Sequence, residues 1–211
     1  KEGKFFLNPQ TWAAMSDILP LEERRKLMDV VEERLKCPYG YTLQDTPFVT
    51  PNDHLGRLTY FEKGVYENGS VYNHGVMFKV VADCVVGRGD NAWNTLKMNR
   101  YDNPLNADSG VEPYAVSNMY FGPCAESKVG YAPLSWITGS AGWMYRAIIE
   151  FLLGVKPEFY GLKLQPCLPT SWNGAKIKRN FRGVKYDIEF IPANEFGVFV
   201  DGNKIEGNVI P

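Results

Sequence analysis

Residues 136–164 read WITGSAGWMYRAIIEFLLGVKPEFYGLKL, and the character of the chain changes inside this stretch. Its first part predicts a strongly apolar helix over 136–153, in which Trp143, Met144, Ala147, Ile148, Phe151 and Leu152 share a broad face at helical spacing. Gly154 suits a C-terminal cap, and Pro157 prevents continuation. After about residue 161 the apolar residues alternate instead. Leu162-Lys163-Leu164 reads as a short strand, and Pro166 to Gly174 as a turn region. Residues 176–181, 184–191 and 198–200 follow as half-buried strands, and Val200-Asp201-Gly202-Asn203 as a hairpin turn.

Working back towards the start, residues 73–98 predict two helices broken at Gly87-Arg88-Gly89. LEERRKLMDVVEERLK at 21–36 is amphipathic: Leu27, Met28, Val31 and Leu35 form one stripe, charges cover the other face, and Pro38 and Gly40 end it. Residues 41–70 and 100–135 carry loop chemistry, rich in Pro, Gly, Asn and Asp; loops that long in a compact domain are usually functional or disordered. Helix pairs separated by such loops suggest part of an α/α toroid with a cleft at one end. The expected fold is therefore mainly α with a C-terminal β unit: a partial toroid over 1–160, then a small antiparallel, sandwich-type β-sheet domain over 161–211 leaning on the helices or on chain outside this sequence. About four predicted helices are too few to close a ring.

The bulk numbers exclude some classes. With 211 residues, 45% hydrophobic and 22% charged, the chain suits one good-sized soluble domain or somewhat more. A formal net charge of -1 gives no reason to expect nucleic acid or an anionic membrane as partner. No apolar run approaches the roughly 20 residues of a membrane helix. Cys37, Cys84, Cys124 and Cys167 are widely spaced without a CxxC pair, which argues against a zinc site and for buried or partly buried thiols in a reducing cytoplasm. Aromatic residues make up 14%, suited both to stacking on sugar rings and to filling a core. The chain opens on Lys1 with no apolar signal segment, and is expected to be a piece of something longer.

Two segments could carry chemistry. In YENGSVYNHG at 66–75, a carboxylate (Glu67) and an imidazole (His74) lie seven residues apart across a loop-to-helix junction. In WITGSAGW at 136–143, a Thr-Gly-Ser turn opens a helix, whose first N–H groups are free donors for an anion; Thr138 adds a hydroxyl. A nearby His74 would complete a small phosphate pocket. From spacing alone the functional signal is weak and the plainer readings are the commoner ones: Thr138 as an N-cap, His74 as a structural hydrogen-bonder, with Glu67 as a solvated acid.

The blocks ENGSVYNHG (67–75), GRGDNAW (87–93), EPYAVSNMYFGP (112–123), SWITGSAGWMYRAIIEFLLGVKPEFYGLKLQPCLP (135–169) and FRGVKYDIEF (181–190) occur in an order that resembles one family. FFLNPQTWAAMS at 5–16 is similar to that family's segment after the catalytic-acid loop. The family is glycoside hydrolase family 94, the inverting β-glycoside phosphorylases acting on cellobiose, cellodextrins, chitobiose and cellobionic acid. The resemblance spans nearly the whole chain.

It implies an (α/α)6 barrel ending near residue 160 and then a β-sheet domain. It also implies phosphorolysis of a β-linked disaccharide, giving an α-sugar 1-phosphate and a free sugar or an aldonic acid. Inorganic phosphate is cosubstrate, with no metal or organic cofactor, in a cytoplasmic protein that is a homodimer at full length. The family's phosphate-binding residues fall on His74, Thr138 and Gly139, and its sugar-lining carboxylate on Glu67. Asn118 falls where relatives carry a polar sugar contact, often Gln. Tyr66 replaces a frequent Lys. Arg57 and Lys63 lie in the loop that faces the acceptor, where they suit a carboxylated acceptor or are simply solvent-facing charges. The family's general-acid motif Asp-Trp-Asn-Asp and its phosphate-binding arginine, both upstream, are absent, so no residue here is assigned as catalytic. A truncated, inactive binding piece and a toroid hydrolase remain the alternatives.

Overall fold

The computed structural model describes residues 2–211 as a mixed assembly of five α-helices and several small antiparallel sheets. The helices are α1 (Leu7–Met15), α2 (Leu21–Leu35), α3 (Asn73–Val85), α4 (Gly89–Met98) and α5 (Ser140–Arg146). A π-helical segment, Ala147–Leu152, continues α5 without a break. Helix α2 buries Met28, Val31 and Leu35 of the stripe read from the sequence, while Leu27 is only half-buried. The break between α3 and α4 falls where expected, with Gly87 at positive φ. Position 87 turns the chain in the left-handed region that glycine enters at little cost.

Helix α1 was not anticipated. Its buried residues are Leu7, Thr11 and Ala14, a small and partly polar stripe that leaves no strong apolar period. The helix over 136–153 begins later than expected, at Ser140, because residues 136–139 form a turn in front of it.

The long irregular segments are tied down by short strands. Strands β1 (Lys36–Cys37) and β2 (Gly40–Tyr41) pair with each other, as do β3 (Val71–Tyr72) and β4 (Met119–Tyr120). The second pair matters for function, since β3 runs straight into α3 while β4 follows Asn118.

From residue 155 the chain is β. Strands β5 (Val155–Glu158), β6 (Gly161–Leu164) and β11 (Val209–Ile210) make a three-stranded sheet in the order β11-β6-β5. Strands β7 (Ala175–Phe181) and β8 (Val184–Phe190) form one hairpin, β9 (Val198–Val200) and β10 (Asn203–Ile205) another. Asp201 and Gly202 both take positive φ, as a tight two-residue hairpin requires.

Buried side chains fall into two clusters. The larger gathers Leu7, Met28, Val31, Val76, Val80 and Leu152 among others; the smaller joins Val155, Leu162, Leu164, Ile188, Val198 and Ile210, with Ile149 packed against it. The helical core also encloses charge. Lys79, fully buried, places Nζ 2.6 Å from Glu32 Oε1, 2.7 Å from Asp83 Oδ2 and 2.8 Å from Thr95 Oγ1. Lys79 shares the inner face of α3 with Val76, Val80 and Asp83; its charge would favour water, and ion pairing allows it inside. Of the four free cysteines, Cys37 and Cys84 are buried and Cys167 is half-buried, but Cys124 is exposed, unlike the expectation for it. Among the described residues no helix is long and apolar enough to cross a membrane.

Candidate functional site

The two segments singled out in the sequence meet in space. Gly139 packs on the imidazole of His74: a Cβ at position 139 would lie 3.0 Å from His74 Cε1. Gly139 has φ of -83°, so the need for glycine here is space and not backbone conformation. His74 is the second residue of α3, and Gly139 immediately precedes α5, so two helix N-termini converge. The first N–H groups of each lack partners within their helix. A Cβ added at Gly142 meets nothing within 4 Å, so that side of the first turn of α5 is open.

His74 sits among aromatic rings, with centroids 5.0 Å from Phe78 and 6.1 Å from Trp143. Trp12 of α1 extends the cluster, 5.3 Å from Phe78. Burial lowers the pKa of His74 below its usual range, because water that would solvate the imidazolium is displaced. Its Nε2 is buried and unpartnered.

The N-cap of α5 is Gly139 and not Thr138, whose Oγ1 instead accepts from Ser140 N–H at 2.9 Å in the turn before the helix and lies 2.6 Å from Ser140 Oγ. That bond holds the hydroxyl at the start of α5, next to Gly139. Where Ser140 Oγ donates in that pair, the Thr138 hydroxyl still has a proton to give.

Glu67 and Tyr66 lie in the turn before β3. Tyr66 takes φ of +48°, unusual for a residue with a large side chain, and its ring lies 5.0 Å from that of Phe61. Glu67 Oε1 is 3.9 Å from the exposed Arg57 guanidinium, while Oε2 is buried without a partner. The turn is fastened by Asn68, fully buried, whose Oδ1 accepts from Gln44 Nε2 (3.2 Å) and Phe48 N–H (2.8 Å) and whose Nδ2 donates to Phe48 O (2.9 Å) and Phe61 O (2.8 Å). Every hydrogen-bonding position of that amide is used.

Asn118 joins the His74–Gly139 cluster through Nδ2, which donates to Ile137 O at 3.0 Å; its Oδ1 is buried and unpartnered. Lys63 is placed differently. Its Nζ pairs with Glu126 at 4.0 Å, and it lines a shallow cleft of about 390 Å³ with Phe48, Tyr60 and Phe61. So Lys63 has a partner of its own, whereas Arg57 faces Glu67.

Sequence reasoning passed over Asn8. Its Oδ1 is buried and unpartnered, and a Cβ at Gly75 would come within 2.6 Å of it. Glycine at 75 thus lets α1 close against the start of α3. The signal was available, since Asn8 stands in the FLNPQTWA block, but nothing in its own spacing points to a site. Asn8, Glu67, His74 and Asn118 each carry a buried polar atom without a partner, as do residues elsewhere such as Arg24, Gln44 and Arg179.

Residues 1–154 match the glycosyl hydrolase 94 superfamily, catalytic domain. The whole chain is 40% identical over 218 residues to solabiose phosphorylase of Paenibacillus borealis, covering 28% of that protein. It is 38% identical over 193 residues to 3-O-beta-D-glucopyranosyl-beta-D-glucuronide phosphorylase of the same organism, with 90% of this chain and 25% of that one aligned. Against N,N'-diacetylchitobiose phosphorylase of Vibrio proteolyticus it is 34% identical over 223 residues, all of this chain and 27% of the relative. The chain spans about a quarter of the length of these relatives.

Proposed function

The chain belongs to the glycosyl hydrolase 94 superfamily, and on that premise we propose that it is the C-terminal portion of an inverting disaccharide phosphorylase. The complete protein cleaves a β-linked disaccharide with inorganic phosphate and releases an α-sugar 1-phosphate plus a free sugar or aldonic acid. Residues 1–160 form the last part of an (α/α)6 barrel and 161–211 a sandwich-type β-sheet domain. The complete protein is a cytoplasmic homodimer, and its chemistry calls on phosphate and no metal or organic cofactor.

The observation that supports this most is the contact of His74 with Gly139. It brings an imidazole with a free, buried Nε2 against the turn that opens α5. Phosphate held there accepts from the helix N–H groups, the Thr138 hydroxyl and the imidazole. With its pKa lowered, His74 is neutral near pH 7 in the empty site, and a bound phosphate raises its affinity for a proton. The pocket thus orients the nucleophile for in-line attack at the anomeric carbon. Glu67 Oε2 and Asn118 Oδ1 accept from hydroxyls of the transferred sugar, Tyr66 offers a ring to the acceptor, and Arg57 a cation. Lys63 lies at the outer edge of that acceptor region.

Inversion needs the nucleophile on the face opposite the acid, where phosphate takes the place of a hydrolase's water. The acid that protonates the leaving oxygen lies in the remainder of the protein.

The test is the complete protein incubated with a panel of β-linked disaccharides, with and without phosphate. Phosphate-dependent formation of an α-sugar 1-phosphate, seen by phosphorus NMR, is the expected result. Release of free sugars at the same rate without phosphate would make it a hydrolase and overturn the proposal.

A further inference from the structure

The turn carrying Thr138 and Gly139 must keep its place against His74, which belongs to a different element, and one residue reaches both. Asn118 immediately precedes β4. Its N–H donates to Leu134 O at 2.7 Å, its carbonyl accepts from Asn73 N–H at 2.9 Å, and its Nδ2 donates to Ile137 O at 3.0 Å. Asn73 is the first residue of α3, just before His74; Ile137 stands just before Thr138. Asn118 therefore bonds to the residue preceding each half of the pocket.

The geometry points to Asn118 as a positioning residue that sets the Thr138-Gly139 turn against His74, over and above any contact with sugar. The role rests on reading this pocket as a phosphate site. Beside the Ile137 carbonyl, only the NH2 end of the amide can form a bond; the reverse orientation would set two oxygens together. That leaves Oδ1 turned away, buried and unpartnered.

The two sides of the link differ in kind. On the α3 side it is made by backbone, and the Asn73 side chain adds bonds of its own, to Ser117 O at 3.0 Å and from Asn99 Nδ2 at 2.7 Å. On the turn side it runs through the Asn118 side chain. Removing that side chain loosens the turn and leaves the start of α3 in place.

The test uses the complete protein and its Asn118→Ala and Asn118→Asp variants. Hydrogen–deuterium exchange is followed for peptides covering residues 136–143 and 73–80. Both variants are expected to speed exchange in the first peptide by about tenfold and leave the second unchanged, as for a local opening. In both variants the KM for phosphate should rise about tenfold, the loss expected for one hydrogen bond's worth of positioning, while Asn118→Asp, which keeps an acceptor oxygen for the sugar, should move the disaccharide KM less than about threefold. Unchanged exchange at 136–143, or a rise confined to the disaccharide KM, would overturn the role. Asn118→Asp keeps the volume of the side chain, so it decides the matter even if the alanine variant does not fold. The exchange result needs no turnover. A complete protein without phosphorolysis would sink the proposed reaction and still leave the exchange comparison to decide on Asn118.

Discussion

Gly139 lies so close to the imidazole of His74 that a Cβ there would fall 3.5 Å from each ring nitrogen as well as 3.0 Å from Cε1. The smallest possible addition at position 139 therefore pushes on the group proposed to hold phosphate. In the complete protein, Gly139→Ala should raise the KM for phosphate about tenfold or more, because a displacement of a few tenths of an ångström misaligns a positioned anion. The melting temperature should move by only a few degrees, since the backbone at 139 is already in an ordinary conformation. Steady-state kinetics with phosphate varied at fixed disaccharide checks this.

The titration of His74 offers a second measurement. Burial lowers its pKa in the folded state, so below the ordinary value of about 6.5 the unfolded chain binds the proton more readily. Stability should accordingly fall as pH drops below about 6.5 through the folded value, and His74→Gln should remove that part of the dependence. Proton NMR of the ring should show a midpoint below the ordinary value without anion, moving up when phosphate is added. A midpoint insensitive to phosphate would count against the pocket.

Arg57 and Lys63 should behave differently. Arg57 stands by Glu67, whereas Lys63 is turned to Glu126. If the acceptor is an aldonic acid, Arg57→Ala should raise its KM in the reverse reaction by about tenfold or more, the worth of a charge-assisted contact. Lys63→Ala should change it less than about threefold. Glucose as acceptor should be nearly indifferent to both. Initial rates of disaccharide synthesis from sugar 1-phosphate separate these outcomes.

The buried cation in the helical core predicts a stability effect far from the site. Burial would raise the pKa of Glu32, but the Lys79 charge and bonds from Lys79, Tyr41 and Asn91 outweigh that and hold it at about 2. That contribution is intact above the ordinary carboxylate value and is lost as pH falls through about 2. Asp83, raised by burial, works in the opposite direction. Comparing wild type with Glu32→Gln across acid denaturation isolates the first term. Lys79→Met should cost about 3–5 kcal/mol in denaturant unfolding near neutral pH, because two carboxylates lose their shared cation.

Much of the local structure was legible in the chain. The stripe of α2, the break at Gly87 and the hairpin at Asp201-Gly202 were each carried by a few neighbouring residues, and each stands where its pattern predicts. Helix α1 was not, because Leu7, Thr11 and Ala14 bury a stripe too short and too polar to register as a period. The full burial of the Lys79 charge was not legible either, and the carboxylates of Glu32 and Asp83 explain it.

The candidate site divides in the same way. His74, Thr138, Gly139 and Glu67 were named from their motifs, and the chain by itself determined that a helix would open behind Thr138 and another around His74. Tertiary structure alone decided that Gly139 touches the His74 ring, that the Asn118 amide is spent on Ile137 and that Lys63 turns to Glu126. The reason is physical. Periodicity, caps and turns are set within a few residues, where backbone sterics and short-range hydrogen bonds act. Which distant groups meet depends on how helices and strands pack, and a buried amide or charge has no preferred partner until that packing has excluded water around it.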